Sequence, residues 1–345
     1  MKILVASTHV PFIRGGGTMI VEDLAAELTE RGHEVDILTL PFWSVWDEMV
    51  EQMLALRLVN VQKRADRLIC IRTPSYLLEH ENKVAWFIHH HRGAYDLWGT
   101  PFQDIPNSEA GLKVLASIKA ADNRSLREVK KLFTNSQVVS KRLSKFNQLD
   151  STVLYPPLRH AERFHCKNYG DYIFYASRIA TPKRQMLAVE SMRFVKRAIR
   201  LIIAGSPDEP QNLIELQELV NRLKLNDRVE IRGNWISDEE KIELFADALG
   251  SIYIPLDEDS YGYPTLESFQ SLKPVITCTD SGGTMEIIED GVNGFICAPT
   301  PEAIAKAIDK LAADPVAAAK MGEAGYARMQ AMNISWDYVC EQLVS

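Results

Sequence analysis

The chain has 345 residues, 46% hydrophobic and 25% charged, with a formal net charge of −7. That composition excludes a disordered or fibrous chain, its length suits two domains, and its acidic balance disfavours a nucleic-acid partner. Through Lys167 the chain carries 22 basic and 19 acidic side chains, and the remainder carries 17 and 27, as two domains with different surfaces would.

The opening MKILVASTHVPF is too short in apolar residues for a secretory leader, and no apolar run approaches the length of a transmembrane helix. A soluble protein, or one lying on a membrane surface, is expected. The five cysteines (Cys70, Cys166, Cys278, Cys297, Cys340) show no metal or redox spacing and read as reduced thiols of a cytoplasmic protein.

Short apolar runs at Lys2–Ser7, Glu34–Leu40, Arg67–Thr73, Lys83–His90, Lys131–Ser136 and Ser151–Tyr155 predict buried strands. Thr18–Arg31 has apolar residues at helical spacing and Gly32 as its stop. Residues 43–61, rich in Trp, Met and Leu, fit either a core face or a membrane-docking face. Tyr155-Pro156-Pro157 breaks the pattern, and 158–170 reads as an interdomain linker.

The pattern restarts with strands at Asp171–Ser177, Ile199–Gly205, Arg228–Gly233, Ser251–Leu256, Pro274–Thr279 and Gly294–Ala298. Helices are predicted at Asn212–Leu223, Asp238–Asp247 and Pro301–Ala313. Strands alternating with helices mean parallel sheets covered on both faces, with ligands at the carboxyl ends of the strands.

The candidate site residues follow those strands. In Asp259-Ser-Tyr-Gly-Tyr-Pro-Thr-Leu-Glu267, Gly262 permits a tight turn and Pro264 suits a helix start. Glu267 then falls in the first helical turn, either to accept two hydrogen bonds from adjacent sugar hydroxyls or simply to favour a helix N-terminus. Arg178 and Lys183, after Asp171–Ser177, combine a planar fork with a point charge and suit a diphosphate; a solvated basic loop is the alternative.

Gly15, Gly16 and Gly17 precede the first helix and suit an anion, but Ile20 stands where a dinucleotide fingerprint needs its last glycine. Gly282 and Gly283 repeat the arrangement, with Thr284 either joining them or acting as a plain N-cap. Asp257-Glu-Asp259 has the spacing of a weak divalent-metal site. His89-His-His-Arg92 closes a predicted strand, whose alternating faces argue against three zinc ligands there. The aromatic stretch after it offers Tyr95 and Trp98, beside Arg92, as faces on which a sugar could stack or as core anchors. Trp235 and Ile236 either border a bound ligand or pack.

These motifs, in this order, resemble the GT-B glycosyltransferases of family four over nearly the whole chain. They include Gly32-His-Glu-Val, Phe87-Ile-His89, Asn135-Ser136, Leu154-Tyr-Pro-Pro157, Ser177-Arg178 with Lys183, Pro255 to Glu267, Lys273-Pro-Val-Ile276 and Ser281-Gly-Gly283. The resemblance implies an α/β architecture of two facing Rossmann-like, doubly wound domains with an interdomain cleft. The acceptor domain would span 1–168, the nucleotide-sugar domain 169–330, and a final helix at 331–345 would return to the first.

It further implies a retaining transferase moving a sugar from a nucleoside diphosphate sugar to a hydroxyl of a glycan, glycolipid or small molecule. Arg178 and Lys183 would hold the diphosphate, Glu267 the ribose, and His89 would touch the transferred sugar. Gly282 and Gly283, with Gly262 and Tyr263, would lie on the donor, and Gly15–Gly17 would close over its diphosphate. The family's usual Glu-x7-Glu is altered here: Asp259 stands eight before Glu267, so either Asp259 or a shifted Glu258 fills the first acidic position.

No cofactor is expected, and a divalent metal is not expected to be essential. Peripheral membrane association at the inner face is left open. The competing functions are a non-catalytic nucleotide-sugar binder and an epimerase or phosphorylase on the same scaffold. A Rossmann oxidoreductase is disfavoured by the missing glycine.

Overall fold

Twelve strands form in the computed structural model, which describes residues 1–11 and 16–345. They make two six-stranded sheets, and every strand pair is parallel. Parallel strands are covered on both faces, so their sequences are continuous apolar runs rather than alternating ones. KVAWF at Lys83–Phe87 and YIFYA at Tyr172–Ala176 are buried at every position.

The first unit comprises Met1–Pro157 and Ile334–Ser345. Its elements are β1 (Lys2–His9), α1 (Gly16–Glu30), β2 (Glu34–Pro41), α2 (Met49–Leu58), β3 (Arg67–Cys70), β4 (Lys83–Phe87), α3 (Glu109–Arg127), β5 (Lys131–Thr134), α4 (Gln137–Asn147) and β6 (Thr152–Val153). The strand order is β2-β1-β3-β4-β5-β6, so the chain reverses direction across the sheet between β1 and β3.

The second unit spans Leu158–Asn333. It holds β7 (Tyr172–Ala176), α5 (Gln185–Ser191), β8 (Arg200–Ala204), α6 (Pro210–Arg222), β9 (Val229–Arg232), α7 (Asp238–Asp247), β10 (Gly250–Ile252), α8 (Tyr263–Gln270), β11 (Val275–Cys278), β12 (Gly294–Cys297), α9 (Pro301–Ala313) and α10 (Pro315–Ala331). Its order, β12-β11-β10-β7-β8-β9, puts the reversal between β7 and β10. The last helix, α11 (Trp336–Val344), packs on the first unit: Trp336 meets Trp86 edge-on at 6.3 Å, and Arg31 pairs with Asp337.

Three local expectations change. β4 stops at Phe87, so His89–His91 lie beyond the strand and the alternation of faces does not govern them. Residues 158–170 are packed chain of the second unit: Lys167 and Gly170 donate to the carbonyls of Ala246 and Asp247, and Phe164 meets Phe245. The apolar stretch 43–61 is divided, with Met49, Met53 and Leu56 buried and Trp43, Val45, Leu54 and Leu58 exposed.

Candidate functional site

The reversal between β7 and β10 opens a crevice at the carboxyl ends of those strands, the place where open α/β sheets bind ligands. The loop after β7 carries Arg178 and a short 3-10 turn, Thr181–Lys183. Arg178 is half exposed, at 51% of its side chain, and its guanidinium pairs with Asp208. Lys183 pairs with the Glu258 carboxylate, and its ammonium lies 2.9 Å from the Tyr253 hydroxyl. Tyr253 donates to the same carboxylate at 3.2 Å. Of the two acidic candidates, the one whose carboxylate meets Lys183 is Glu258; Asp259 follows it, half-buried.

Glu258 is placed by its backbone. It bridges to Gly282, and the Gly283 N–H donates to its carbonyl at 2.8 Å. Gly282 has φ +64°, and a Cβ there would lie 2.3 Å from the Glu258 carbonyl oxygen. The two loops therefore touch only because position 282 has no side chain. Asp257 takes a left-handed backbone at φ 47°. Among the described residues no three His, Cys, Asp or Glu side chains gather as a metal-binding set.

Gly262 caps α8 with φ +70°, and Tyr263 opens the helix. Glu267 is the fifth helical residue and so sits in the second turn, where the expected electrostatic role at the helix start no longer applies. Its carboxylate is buried, at 5% exposure, and receives the Lys241 ammonium at 2.7 Å. Burial works against the Lys241 charge, but Glu267 and Asp238 outweigh it and hold the amine above its ordinary range.

Sequence reasoning missed Lys241, which is one basic residue among charged ones on α7. It also missed Arg184. That guanidinium grips the Asp280 carboxylate at 2.7 and 2.8 Å and donates to the carbonyls of Ile254 and Pro255 at 2.7 and 2.9 Å. It thereby ties the chain after β10 to the loop after β11. A basic residue directly after Lys183 was the available signal.

In the first unit, Gly16 and Gly17 open α1, and Gly15 lies outside the described residues. His89 is half-buried, with Nδ1 2.7 Å from the His90 carbonyl oxygen. His90 is enclosed against Phe87, Tyr95 and Phe146, and burial pushes its pKa down to about 4. His91 reaches Asp104 at 3.2 Å. The three histidines thus go to different partners.

Arg92 pairs with Asp96 at 2.6 Å. Tyr95 is buried, its hydroxyl donates to Asp122 at 2.8 Å, and its ring lies 4.2 Å from that of His90. This puts Tyr95 in the core instead of on a face where an acceptor sugar could stack. Trp98 is half-buried against the same core. Trp235 is 79% exposed and does not pack, whereas Ile236 packs on the core beneath β7 and β8. All five cysteines are free, and no helix among the described residues is long and apolar enough to cross a membrane.

Residues 163–328 match the family model for glycosyl transferases group 1, which covers most of the second unit. The human alpha-1,3/1,6-mannosyltransferase ALG2 is 34% identical over 137 residues, covering 38% of this chain and 32% of the relative. A sucrose synthase of Thermosynechococcus vestitus is 26% identical over 155 residues, 43% of this chain and 19% of that protein. The chain thus spans about a third or less of the length of these curated relatives.

Among solved structures, a sucrose-phosphate synthase of Thermosynechococcus elongatus superposes with a TM-score of 0.75 at 17% identity, over 99% of this chain and 97% of that one. Anabaena Alr3699/HepE, in complex with UDP, gives 0.74 at 16% identity, over 100% and 98%. WaaG, a glycosyltransferase involved in lipopolysaccharide biosynthesis, gives 0.73 at 14% identity, with both chains fully covered. Two parallel sheets with reversals at β1/β3 and β7/β10 make the same architecture. The chain therefore has the GT-B fold, and its residues 163–328 match the family model for glycosyl transferases group 1.

Proposed function

We propose that this protein is a retaining glycosyltransferase, which moves a sugar from a nucleoside diphosphate sugar to a hydroxyl of a glycan, glycolipid or small-molecule acceptor. The observation that carries the reading is the set Lys183, Glu258 and Arg178 at the β7/β10 switch point, with Glu267 buried one turn into the next helix. The UDP and UDP-glucose complexes of Alr3699/HepE support a nucleotide-sugar donor, and the mannosyltransferase and sucrose synthase relatives support hexosyl transfer.

In this reading the donor's C1–O bond to phosphate breaks as the acceptor oxygen bonds C1 from the same face. The acceptor proton passes to a phosphate oxygen and leaves with the nucleoside diphosphate. Negative charge grows on the diphosphate, where Lys183 and Arg178 stabilise it. Their carboxylate partners, Glu258 and Asp208, hold them in place until the anion arrives. Glu267, held on one oxygen by Lys241, keeps its other oxygen for the ribose diol. Gly282 and Gly283 let backbone approach the donor, and His89 faces the transferred sugar.

These fixed cations take the place of a divalent metal in the proposal. Activity that vanishes with a chelator and returns only with Mg2+ or Mn2+ would contradict it. Five free cysteines favour the cytoplasm, and exposed Trp43, Leu54 and Leu58 favour peripheral association with a membrane.

The test is a thermal-shift screen of UDP, GDP, ADP and dTDP, each with and without chelator, followed by turnover with sugars of the nucleotide that binds. Binding to the folded state raises its stability with ligand concentration. A shift with one base, lost in Arg178→Ala and Glu267→Ala, is expected. Binding without turnover of any donor would turn the reading to a non-catalytic nucleotide-sugar binder, and donor consumption without acceptor would turn it to an epimerase.

A further inference from the structure

Two thiols outside the candidate site face each other at the edge of the second unit's sheet. Cys278 ends β11 and Cys297 ends β12, and the two are register partners on parallel strands. Register partners project to the same face, and neighbouring strands lie about 4.8 Å apart. A disulfide spans Cα atoms about 4.4–6.8 Å apart, so this pair can close by side-chain rotation with both strands in place. Nothing in their sequence spacing marks them, because strand pairing brings them together.

The thiols already interact. Cys278 donates to the Cys297 sulfur, which itself lies 3.3 Å from the Thr277 carbonyl oxygen. The bond from Cys278 lowers the Cys297 thiol below its ordinary range and raises that of Cys278. Exposure divides them in the same sense. Cys278 is fully enclosed, whereas Cys297 is half-buried on the edge strand, where a small oxidant reaches it.

The backbone around the pair is held. The Thr279 N–H donates to the Cys297 carbonyl at 2.9 Å, and the Cys278 N–H donates to the Ser281 hydroxyl at 3.2 Å. The other three cysteines go elsewhere: Cys70 donates to the Ser75 carbonyl at 3.5 Å, Cys166 receives the Lys273 ammonium at 3.2 Å, and Cys340 is enclosed on α11.

We propose that Cys278 and Cys297 form a redox pair, which hydrogen peroxide closes to a disulfide across β11 and β12. The Cys297 thiolate attacks one peroxide oxygen, the O–O bond breaks and hydroxide leaves, which gives a sulfenic acid. Cys278 then attacks that sulfur, the S–S bond forms and the S–O bond breaks with loss of water. In all, two thiols and one hydrogen peroxide give one disulfide and two waters. The disulfide keeps Cys297 from irreversible oxidation. It also closes residues 279–296 into a loop, which carries Asp280, held by Arg184, and Gly282, bridged to Glu258. The inference concerns the thiols, and its test needs no nucleotide, so it and the transferase reading fail separately.

The experiment treats the whole reduced protein with hydrogen peroxide under native conditions. Free thiols are then alkylated in denaturant, and peptides are mapped without reduction. A cross-linked pair joining Cys278 to Cys297, lighter by two hydrogens and released by dithiothreitol, is expected, with Cys70 and Cys340 alkylated. The oxidised protein should keep a cooperative melt and shift it up by a few degrees, as closing a loop does. In Cys278→Ser the Cys297 sulfur has no resolving partner and should go on to sulfinic acid. In Cys297→Ser the enclosed Cys278 thiol should oxidise roughly tenfold more slowly than Cys297 does in Cys278→Ser.

Native protein that gives no such cross-link, or gives it only once denatured, overturns the pair. So does an oxidised form that melts below the reduced one, or equal oxidation rates for the two thiols in the single variants.

Discussion

The Glu267 carboxylate and the Lys241 ammonium meet at 2.7 Å across α8 and α7, and Glu267 is almost wholly buried. Burying a carboxylate is costly unless it keeps a partner, and Lys241 supplies one. Removing the amine strands the charge.

Lys241→Met is therefore expected to cost about 3–5 kcal/mol of stability, the usual penalty for breaking a buried pair. It should also weaken nucleotide binding, whereas Lys241→Arg should recover most of both. Denaturant unfolding and nucleotide titration of the two variants read the difference. A Met variant as stable and as tight-binding as the parent would show that the pair does not hold Glu267.

Gly262 combines φ +70° with a neighbour that forbids a side chain: its Cβ would fall 2.3 Å from the Tyr253 ring. Gly262→Ala should lose about 1–3 kcal/mol from backbone strain alone, more with the clash. Because Tyr253 also contacts Lys183 and Glu258, donor KM should rise with the loss of stability. Thermal melts paired with donor kinetics test both halves.

Arg184 holds Asp280 and two carbonyls after β10, and so joins the loops on which Glu258 and Gly282 sit. Arg184→Lys keeps the charge but loses the fork. It should raise donor KM roughly tenfold, with acceptor KM unchanged, if each lost charged hydrogen bond costs about 1.5 kcal/mol or more. Equal loss on both substrates would point to general unfolding instead.

Tyr95 and Asp122 make a prediction about stability alone. Asp122 is fully buried, and burial pushes its pKa up to about 6 even though Tyr76 and Tyr95 donate to it. A carboxyl whose folded pKa lies above its unfolded value near 3.8 binds its proton more tightly when folded. That contribution is complete below about pH 4 and is lost as pH rises through 6, an effect of about 3 kcal/mol. Unfolding free energies measured from pH 4 to 7.5 should show the fall in the parent and a flatter profile in Asp122→Asn. Tyr95→Phe should cost about 1–3 kcal/mol by leaving an Asp122 oxygen unpaired, with no change in acceptor KM.

The sequence by itself determined the twelve strands, their parallel arrangement and the loops that carry the site. Strands covered on both faces must be apolar throughout, so KVAWF, YIFYA and VITC announce themselves, and parallel neighbours force a helix between them. Arg178 and Lys183 were legible as candidates because they stand in the loop after β7, and Glu267 because Gly262 and Pro264 mark the start of its helix.

Tertiary structure alone decided which acidic side chain meets Lys183. The choice of Glu258 follows from how the chain after β10 registers on Gly282, a contact 24 residues away in sequence. It also decided that Lys241 belongs to Glu267, that Arg184 belongs to Asp280, and that Tyr95 faces Asp122 in the core. Pairs of charges between separate elements leave no periodic trace, because each partner alone looks like any solvated residue of its helix or loop. Burial and pairing are properties of the packed units, which is why only the tertiary structure decides them.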